Sequence, residues 1–88
     1  MPRYIIERTV GPITKEQLDA ASRKSKQVVA DMPGVVWIKS YVSNVEGKLY
    51  CEYDAPNSEA ILEHARRAGL PVDRISEVAL EISPDMFV

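Results

Sequence analysis

The chain has 88 residues, of which 45% are hydrophobic and 27% are charged. This length allows one domain, residues 1–88, and such a small domain buries only about 60–65% of the surface of its unfolded chain. The composition excludes a disordered tail, a collagen-like chain and a coiled coil. The net charge is −2 and the Lys and Arg residues are scattered, so we expect no nucleic-acid partner.

Cysteine usage and the N-terminal sequence predict where the protein is found. The single cysteine, Cys51, cannot form an internal disulfide, and no charged-then-apolar leader begins the sequence. No apolar stretch approaches the ~20 residues that a membrane span needs. We therefore predict a soluble, cytoplasmic protein with no membrane partner.

The first predicted elements are a strand and a helix. Residues 3–10 are rich in β-branched side chains, and the Gly11-Pro12 pair ends this strand. Thr14 and Gln17 then match a capping box, and apolar or small residues recur after them at helical spacing. This pattern predicts a helix over about 15–31.

Three further strands and one helix are predicted in the rest of the chain. Residues 35–42 carry the strongest strand signal, and residues 48–54 pair back on them after a turn. A second helix runs through Ala68 and is capped by Gly69. Residues 75–82 alternate between apolar and polar side chains and predict the last strand.

The predicted order β-α-β-β-α-β indicates an α+β, ferredoxin-like fold, in which two helices cover one face of a four-stranded antiparallel sheet. Read at the strand period of two, one set of side chains faces the helices and forms the predicted core. This set comprises Tyr4, Ile6, Val36, Ile38, Val42, Leu49, Cys51, Tyr53, Val78, Leu80 and Ile82. The opposite side of the sheet, called the open face below, has no predicted cover.

The open face is the predicted site. Its polar and aromatic members are Glu7, Trp37, Lys39, Tyr41, Tyr50, Glu52 and Glu77, and Ile5 lies beside them. Exposed together, Trp37, Tyr50 and Ile5 would form an apolar patch of the kind that marks an interface. We therefore predict a homodimer that packs sheet to sheet and encloses the polar members.

The register of the first strand decides whether Glu7 lies on this face. A slip of one residue would move Glu7 into the core. We reject this register because burying an unpaired carboxylate costs several kcal/mol. In the register chosen, Arg8 at the strand end is expected to reach water.

Carboxylates and tyrosines on the open face suggest proton transfer, with a structural alternative for each. Glu7, Glu52 and Glu77 lie on three strands, and gathered carboxylates raise a pKa toward the range of a general acid or base. The alternative is that they pair with Lys39 and arginines at a dimer seam. Tyrosine hydroxyls could orient a ligand or protonate an enolate, or the rings could serve packing alone.

His64 is the only side chain whose ordinary pKa lies near neutrality. It is predicted at the border of a buried helical stripe formed by Ile61, Leu62, Ala65 and Ala68. That position allows a half-covered structural histidine or a ligand. Cys51 is predicted to be a buried, unreactive thiol, so one chain cannot build a closed metal site from His and Cys. A metal would need carboxylates or two subunits.

Several segments carry a resemblance to a known family. They are Met1-Pro2-Arg3-Tyr4, Glu7-Arg8-Thr9, Trp37 to Ser43, Tyr50 to Pro56, Glu63 to Pro71 and Asp73 to Val78. In these segments the chain resembles small bacterial proteins of the family DUF4242, which have a dimeric ferredoxin-like α/β-barrel fold, and one relative is described as nickel-binding.

The resemblance implies a sheet-to-sheet dimer and a divalent-metal site of nickel type. The positions it suggests as ligands are His64, Glu7 and Glu52. Relatives often have a histidine where this chain has Lys39, and some have another near Leu70, so two nitrogen donors are missing here. Imidazole is a preferred nickel donor, which implies weak binding.

Three functions remain open from the sequence. The first is a homodimer that binds a small ligand or a divalent metal such as nickel in the cleft between the sheets. The second is a cofactor-independent enzyme of isomerase or small-oxygenase type, with Glu7 or Glu52 as base and Tyr41 as acid. In either of these two cases the ligand would be contacted by Trp37, Lys39, Tyr50 and Glu77. The third is an assembly or regulatory subunit without a ligand.

Overall fold

Strands and helices follow one another in the predicted order. The computed structural model describes residues 1–87. Its elements are β1 (Arg3–Thr9), α1 (Lys15–Ala30), β2 (Val36–Ser43), β3 (Lys48–Asp54), α2 (Ser58–Ala68), β4 (Arg74–Val78) and a short 3₁₀ turn, Pro84–Met86. The four strands form one antiparallel sheet in the order β2-β3-β1-β4. This is the α+β, ferredoxin-like arrangement, and the predicted fold class is confirmed.

Side-chain caps define the ends of both helices. Thr14 Oγ1 accepts a hydrogen bond from the Gln17 backbone N–H (3.1 Å), and Gln17 Oε1 accepts one from the Thr14 N–H (2.9 Å). Asn57 caps α2 in the same way by accepting from the Ala60 N–H at 2.9 Å. Gly69 ends α2 in the left-handed conformation, with φ +69°. These caps satisfy backbone groups that have no partner inside a helix.

The core lies between the helices and the sheet. Its buried members are Tyr4, Ile6, Val35, Leu49, Cys51, Tyr53, Ala55 and Ile61. Ile6 is fully buried and faces the helices, which confirms the register predicted for β1. None of the helices in residues 1–87 is long and apolar enough to cross a membrane.

A bulge in β2 changes which side chains face the helices. Trp37 pairs with Tyr53, but Lys39 pairs with Glu52, the next residue along β3, so Ile38 is an extra residue. An inserted residue of this kind breaks the alternation of faces. Trp37 therefore lies on the helix side with Tyr53. The prediction that Trp37 belongs to the open face is wrong.

The prediction that Val36, Ile38 and Val42 of β2 belong to the core is also wrong. Their side chains are 46%, 39% and 42% exposed. Val36 precedes the bulge and pairs with Asp54, which puts it on the open face. Val42 follows the bulge, and it remains exposed because β2 lies at the edge of the sheet.

The register of β4 also differs from the prediction. Ile75 lies opposite Ile6, and Glu77 lies opposite Tyr4, so both face the helices. Glu77 is therefore not on the open face, and its predicted position is wrong. An alternating pattern does not by itself say which set of side chains faces the helices. Glu77 remains exposed on the helix side because β4 lies at the edge of the sheet.

The last strand is shorter than predicted. It ends at Val78, and Leu80 and Ile82, predicted in the core, lie beyond it with 84% and 76% of their surface exposed. Val78 pairs with Arg3 on the open face rather than facing the helices. Met86 and Phe87 are also exposed. The segment after β4 thus carries large apolar side chains that its own chain leaves uncovered.

Candidate functional site

The open face gathers five of the seven predicted polar and aromatic residues. They are Glu7, Lys39, Tyr41, Tyr50 and Glu52. Tyr50 on β3 lies between Glu7 on β1 and Tyr41 on β2. Glu52 lies opposite Ile5 and is thus a diagonal neighbour of Glu7, at about 7–8 Å between Cα atoms in such a sheet.

An arginine of the same chain holds Glu52. Arg3 Nη1 lies 3.2 Å from Glu52 Oε2 and 2.8 Å from Glu81 Oε1, and Arg3 Nε lies 3.0 Å from Asp54 Oδ1. The hydrogen bond from Arg3 lowers the pKa of Asp54, and the same contact raises the pKa of Arg3. Glu52 is therefore part of an ion-pair network. The sequence analysis offered such pairing as the alternative to catalysis, but at a dimer seam, whereas here the cation, Arg3, belongs to the same subunit.

The other open-face residues differ in their contacts. Tyr50 donates a hydrogen bond to Glu46 at 2.9 Å, and this contact raises the pKa of Tyr50. Lys39 Nζ lies 5.8 Å from the centre of the Tyr41 ring, within the range of a cation–π contact. Among residues 1–87, no salt bridge involves Glu7. Glu7 lies opposite Arg74 of β4 in the sheet, without a salt bridge to it.

The two residues displaced from the open face have local partners. The Tyr4 hydroxyl donates to Glu77 Oε1 at 3.3 Å. Burial raises the pKa of Tyr4, and the charge of Glu77 adds to this rise. Trp37 Nε1 donates to Ser40 Oγ at 2.9 Å, across the bulge. Neither residue is placed to contact a ligand on the open face of its own subunit.

A second polar group, the interior cluster, lies on the helix side of the sheet and consists of Arg8, Ser25, Tyr53 and His64. Ser25 on α1 is 3% exposed, and its Oγ lies 3.1 Å from Nε2 of His64 and 3.2 Å from the Tyr53 hydroxyl. The rings of Tyr53 and His64 are tilted by 54° with centroids 5.0 Å apart. The cluster thus joins both helices to β3.

Arg8 brings a positive charge into this cluster. It is fully buried, and the prediction that it reaches water is wrong because it faces the helices like Tyr4 and Ile6. Its Nη1 donates to the Pro71 carbonyl at 2.9 Å. Its Nε and Nη2 atoms, and Nδ1 of His64, have no hydrogen-bond partner among the residues described. Buried polar atoms are rarely left in this state.

Burial sets the protonation states of the cluster. Burial lowers the pKa of His64, and the nearby charge of Arg8 lowers it further. Burial also raises the pKa of Tyr53, against the opposite effects of Ser25 and Arg8. At neutral pH His64 and Tyr53 are therefore uncharged, and Arg8 carries the cluster's only charge.

The sequence did contain signals for the interior cluster. On α2 the buried residues are Ile61, His64, Ala65 and Ala68, a spacing of i, i+3, i+4 and i+7 that defines one helical face. Leu62, predicted in the stripe, is 51% exposed. For Arg8, the period of two that puts Tyr4 and Ile6 in the core extends to position 8. The signals were not followed for His64 and Arg8 because polar side chains were expected to stay near water.

A pocket opens beside the cluster, between α1 and the β2–β3 edge. Its lining includes Leu18, Ala21, Trp37 and Leu70 together with Ser25 and Tyr53, and its accessible surface is almost entirely apolar. The volume open to water-sized molecules is about 30 Å³. Room for one water requires about 10–15 Å³ measured in this way, so the pocket admits a very small molecule.

The predicted metal ligands are not brought together within one chain. His64 is sealed on the helix side, whereas Glu7 and Glu52 lie on the open face, so the sheet separates them. Within residues 1–87 no group of three or more His, Cys, Asp or Glu side chains could hold a metal ion. Cys51 is buried and free, as predicted. The chemistry of nickel, which favours imidazole, therefore does not fit the donors of a single open face.

Comparison with known proteins places the chain in a family. Residues 4–78 match a family model described as nickel responsive protein SCO4226-like. The chain belongs to the SCO4226-like family. The match confirms a nickel-related family, as the resemblance implied, and it does not carry the label DUF4242.

A solved structure supports the same assignment. The crystal structure of SCO4226 from Streptomyces coelicolor A3(2) is similar with a TM-score of 0.81 and 28% sequence identity. The similarity covers 91% of this chain and 99% of that chain, so the SCO4226-like fold spans nearly the whole of both. No match to a curated protein sequence was found.

Proposed function

We propose that the protein is a homodimer that binds a small ligand between the open faces of its two sheets. The observation that carries this proposal is the make-up of the open face. Tyr41 is 57% exposed there, with Tyr50 and Ile5 on the neighbouring strands. A contiguous aromatic and apolar surface of this kind often marks an interface. A chain of 88 residues also gains stability from a partner.

The segment after β4 supports the same proposal. Leu80, Ile82 and Phe87 are 84%, 76% and 69% exposed. Arg3, on the open face, is tied to this segment through Glu81 at 2.8 Å. A second subunit seated on the open face would therefore meet these apolar side chains as well as the sheet.

Glu7 is the group of this cleft that would attract a cationic ligand. It faces the cleft without a salt bridge in its own subunit, and two subunits would bring two such carboxylates together. The family description names a nickel-responsive protein, which makes Ni²⁺ the first cation to test. The donors supplied by this chain are carboxylates and phenols, so we expect weaker nickel binding than an imidazole site gives.

Sedimentation velocity tests the dimer. We expect the wild type to sediment as a dimer and Tyr41→Asp as a monomer, because the new carboxylates would be buried without a partner at the seam. Val45→Asp is the matched control, since Val45 is 101% exposed at the β2–β3 turn. A monomeric wild type, or a Tyr41→Asp dimer of unchanged affinity, would contradict the proposal.

Titration calorimetry with Ni²⁺ tests the ligand class. We expect saturable binding to the wild-type dimer and its loss in Glu7→Gln, which removes one negative charge per subunit and keeps the size. Glu16→Gln, in the first turn of α1, is the control of equal charge change. Equal nickel binding by Glu7→Gln and wild type would show that the cation lies elsewhere. The absence of binding by the wild type would remove nickel as the ligand of this cleft.

A further inference from the structure

Residues 79–83, called the tail below, have the sequence of a strand but no strand to pair with. Leu80 and Ile82 continue the alternation of β4, which ends at Val78. β4 stops there because its neighbour β1 begins at Arg3, the residue opposite Val78. In the described part of the chain, no backbone N–H of the tail donates to a backbone carbonyl. The tail is therefore an unpaired continuation of β4.

The tail is held to its own subunit by one weak contact. Glu81 Oε1 lies 2.8 Å from Arg3 Nη1, and the Glu81 side chain is 67% exposed. Ion pairs this exposed contribute little to stability. Leu80 and Ile82 on either side of Glu81 are almost fully exposed. The apolar side chains of the tail are thus available to another molecule.

The opposite edge of the sheet, β2, is open to an added strand. The Ala55 N–H donates to the Pro2 carbonyl at 3.1 Å, which fixes the hydrogen-bonded pairs of β1 with β3. Counted alternately from this bond along β3 and across to β2, the N–H groups of Ser40 and Val42 point away from the sheet. β2 has eight residues, no proline and one charged side chain, Lys39. Apart from its bulge and this lysine, it lacks the features that usually protect a free edge.

The apolar pocket lies beside this free edge. Trp37 and Ser40 of β2 line it together with Leu18 and Ala21 of α1. Its accessible surface is almost entirely apolar, and its volume of about 30 Å³ suits the end of one aliphatic side chain. A strand added to β2 would direct alternate side chains to the helix side, where the pocket opens. The edge and the pocket together therefore fit a strand with an aliphatic residue at every second position.

We propose that the tail of each subunit adds as a strand to β2 of the partner subunit and seats an aliphatic side chain in the partner's pocket. This inference rests on the proposed dimer and names a second contact within it. Each copy of the chain carries one tail and one free β2 edge, so reciprocal exchange pairs both and closes the dimer. The charges also match, since Glu81 is the only charged residue of the tail and Lys39 the only one of β2.

The position of the tail favours a partner's β2 over the other free edges. In its own sheet β1 and β3 lie between β4 and β2, so the tail would have to cross the open face to reach its own β2. Facing sheets pack about 10 Å apart, and five extended residues span about 16 Å, so a partner's edge is within reach. β4 is the poorer template, because it has only five residues and two of them, Arg74 and Glu77, are charged.

A dilution series in sedimentation velocity tests the contribution of the tail to the dimer. We expect Leu80→Ser/Ile82→Ser to raise the dimer Kd by about tenfold or more, because two aliphatic side chains lose their burial. Val45→Ser/Leu62→Ser is the matched control, since it removes two exposed aliphatic side chains elsewhere, and it should keep the wild-type Kd. A monomeric wild type would refute the dimer and this contact together. An unchanged Kd in Leu80→Ser/Ile82→Ser would refute the contact alone.

A second pair of variants tests the pocket. Ala21→Leu fills it and should weaken the dimer, whereas Ala20→Leu, on the exposed side of α1, should not. Circular dichroism confirms that both variants fold. The same dimer Kd for Ala21→Leu and Ala20→Leu would show that no side chain of the partner enters the pocket.

Amide hydrogen exchange, followed by NMR, locates the added strand. In the wild-type dimer the N–H groups of Ser40 and Val42 should be protected. They should exchange rapidly in Leu80→Ser/Ile82→Ser, measured at a concentration that keeps this variant dimeric. The Tyr41 N–H, which points toward β3, is the internal control and should stay protected in both proteins. Rapid exchange of Ser40 and Val42 in the wild-type dimer would overturn the proposal.

Mixing two variants shows whether the contact is made between subunits. Val42→Pro removes an outward N–H, which an edge strand tolerates, and leaves the tail intact. Mixed with Leu80→Ser/Ile82→Ser, it supplies an intact tail to an intact β2 edge, so the mixed dimer should be tighter than either homodimer. A mixed dimer no tighter than the two homodimers would show that the tail acts within its own subunit. Should Val42→Pro fail to fold, hydrogen exchange and the Ala21–Ala20 pair still decide the proposal.

Discussion

The Ser25 hydroxyl lies 3.1 Å from Nε2 of His64, and this contact joins the two helices in the core. The same oxygen lies 3.2 Å from the Tyr53 hydroxyl on β3. Ser25 is therefore a single small side chain that satisfies two larger polar groups from two other elements. Its loss would leave both of them with unmet hydrogen bonds in a buried site.

Ser25→Ala should destabilise the protein by about 1–3 kcal/mol, because it leaves buried partners without a hydrogen bond. The measurement is the free energy of unfolding by urea denaturation. Ser22→Ala is the matched control on the same helix, since Ser22 is only half-buried, and we expect its effect to stay within about 0.5 kcal/mol. Equal effects of the two substitutions would show that the Ser25 contacts contribute nothing.

The stability of the protein should fall on mild acidification because of His64. Burial holds the pKa of His64 below its ordinary value of 6.5, so the unfolded chain takes up this proton before the folded one. The stabilising contribution is therefore fully present above the unfolded-state pKa and is lost as pH falls through the lower folded-state pKa. The measurement is the melting temperature across this pH range.

His64→Gln separates this effect from the titration of carboxylates. The variant has no group that titrates near neutrality at this position, so its melting temperature should change less between pH 7 and about pH 5 than that of the wild type. Glu63, the neighbour of His64, does not interfere, because Arg66 and Arg67 lower its pKa to about 2. Parallel pH profiles for the wild type and His64→Gln would disprove the assignment.

Gly47→Ala should be more destabilising than Gly11→Ala, although both glycines have a positive φ, +67° and +70°. The backbone cost of about 1–2 kcal/mol for a left-handed residue is common to both. An added Cβ at Gly47 would lie 3.0 Å from Gly11 Cα, whereas at Gly11 it would meet nothing within 4 Å. Crowding of this kind adds about 1–3 kcal/mol.

The backbone at this point cannot move freely, because the N–H groups of Val10 and Gly11 both donate to the Gly47 carbonyl, at 2.9 and 3.0 Å. Urea denaturation of the two alanine variants measures the difference. Equal losses of stability in Gly47→Ala and Gly11→Ala would show that the close approach of the two loops carries no cost.

Cys51 should react slowly with a thiol reagent such as DTNB in the folded protein and rapidly in denaturing urea. It is 4% exposed and lies under the helices, so reaction requires opening of the core. Ala21→Leu, which fills the neighbouring pocket, should not speed the reaction. A fast reaction of the native thiol would show that the pocket gives reagents access to Cys51.

The fold was predictable because its local signals agree with one another. The Thr14–Gln17 capping box, the left-handed Gly69 and the β-branched strands each predict the element found. The central strands β1 and β3 were also placed correctly, since each has a neighbour on both sides and its alternation decides which face is buried.

The edge strands were the source of the errors. In β2, nothing in the sequence marks Ile38 as an extra residue, since Val36, Trp37 and Ile38 are equally good strand formers. In β4, the alternation continues past Val78 and imitates a longer strand. An edge strand is constrained on one side only, so its register depends on tertiary contacts that a linear pattern does not contain.

The polar interior was missed for a different reason. His64 and Arg8 fit the helical and strand periods of buried residues, but their chemistry argued for the surface. Each is kept inside by partners far away in the chain, such as Ser25 for His64 and Pro71 for Arg8. Pairings between such distant positions become visible only once the elements have packed.

The bulge at Ile38 also has a practical consequence for anyone who designs variants or compares homologues of this protein. Before the bulge, the even-numbered position Val36 lies on the open face, and after it the odd-numbered positions Lys39 and Tyr41 do. Trp37 and Lys39, two odd positions that any regular strand would group together, thus belong to different environments. A substitution at Trp37 perturbs the interior pocket, whereas one at Lys39 perturbs the opposite surface. In a relative with one residue fewer at this point, the two equivalent residues would be adjacent in the sequence, and regular alternation alone would put them on opposite faces.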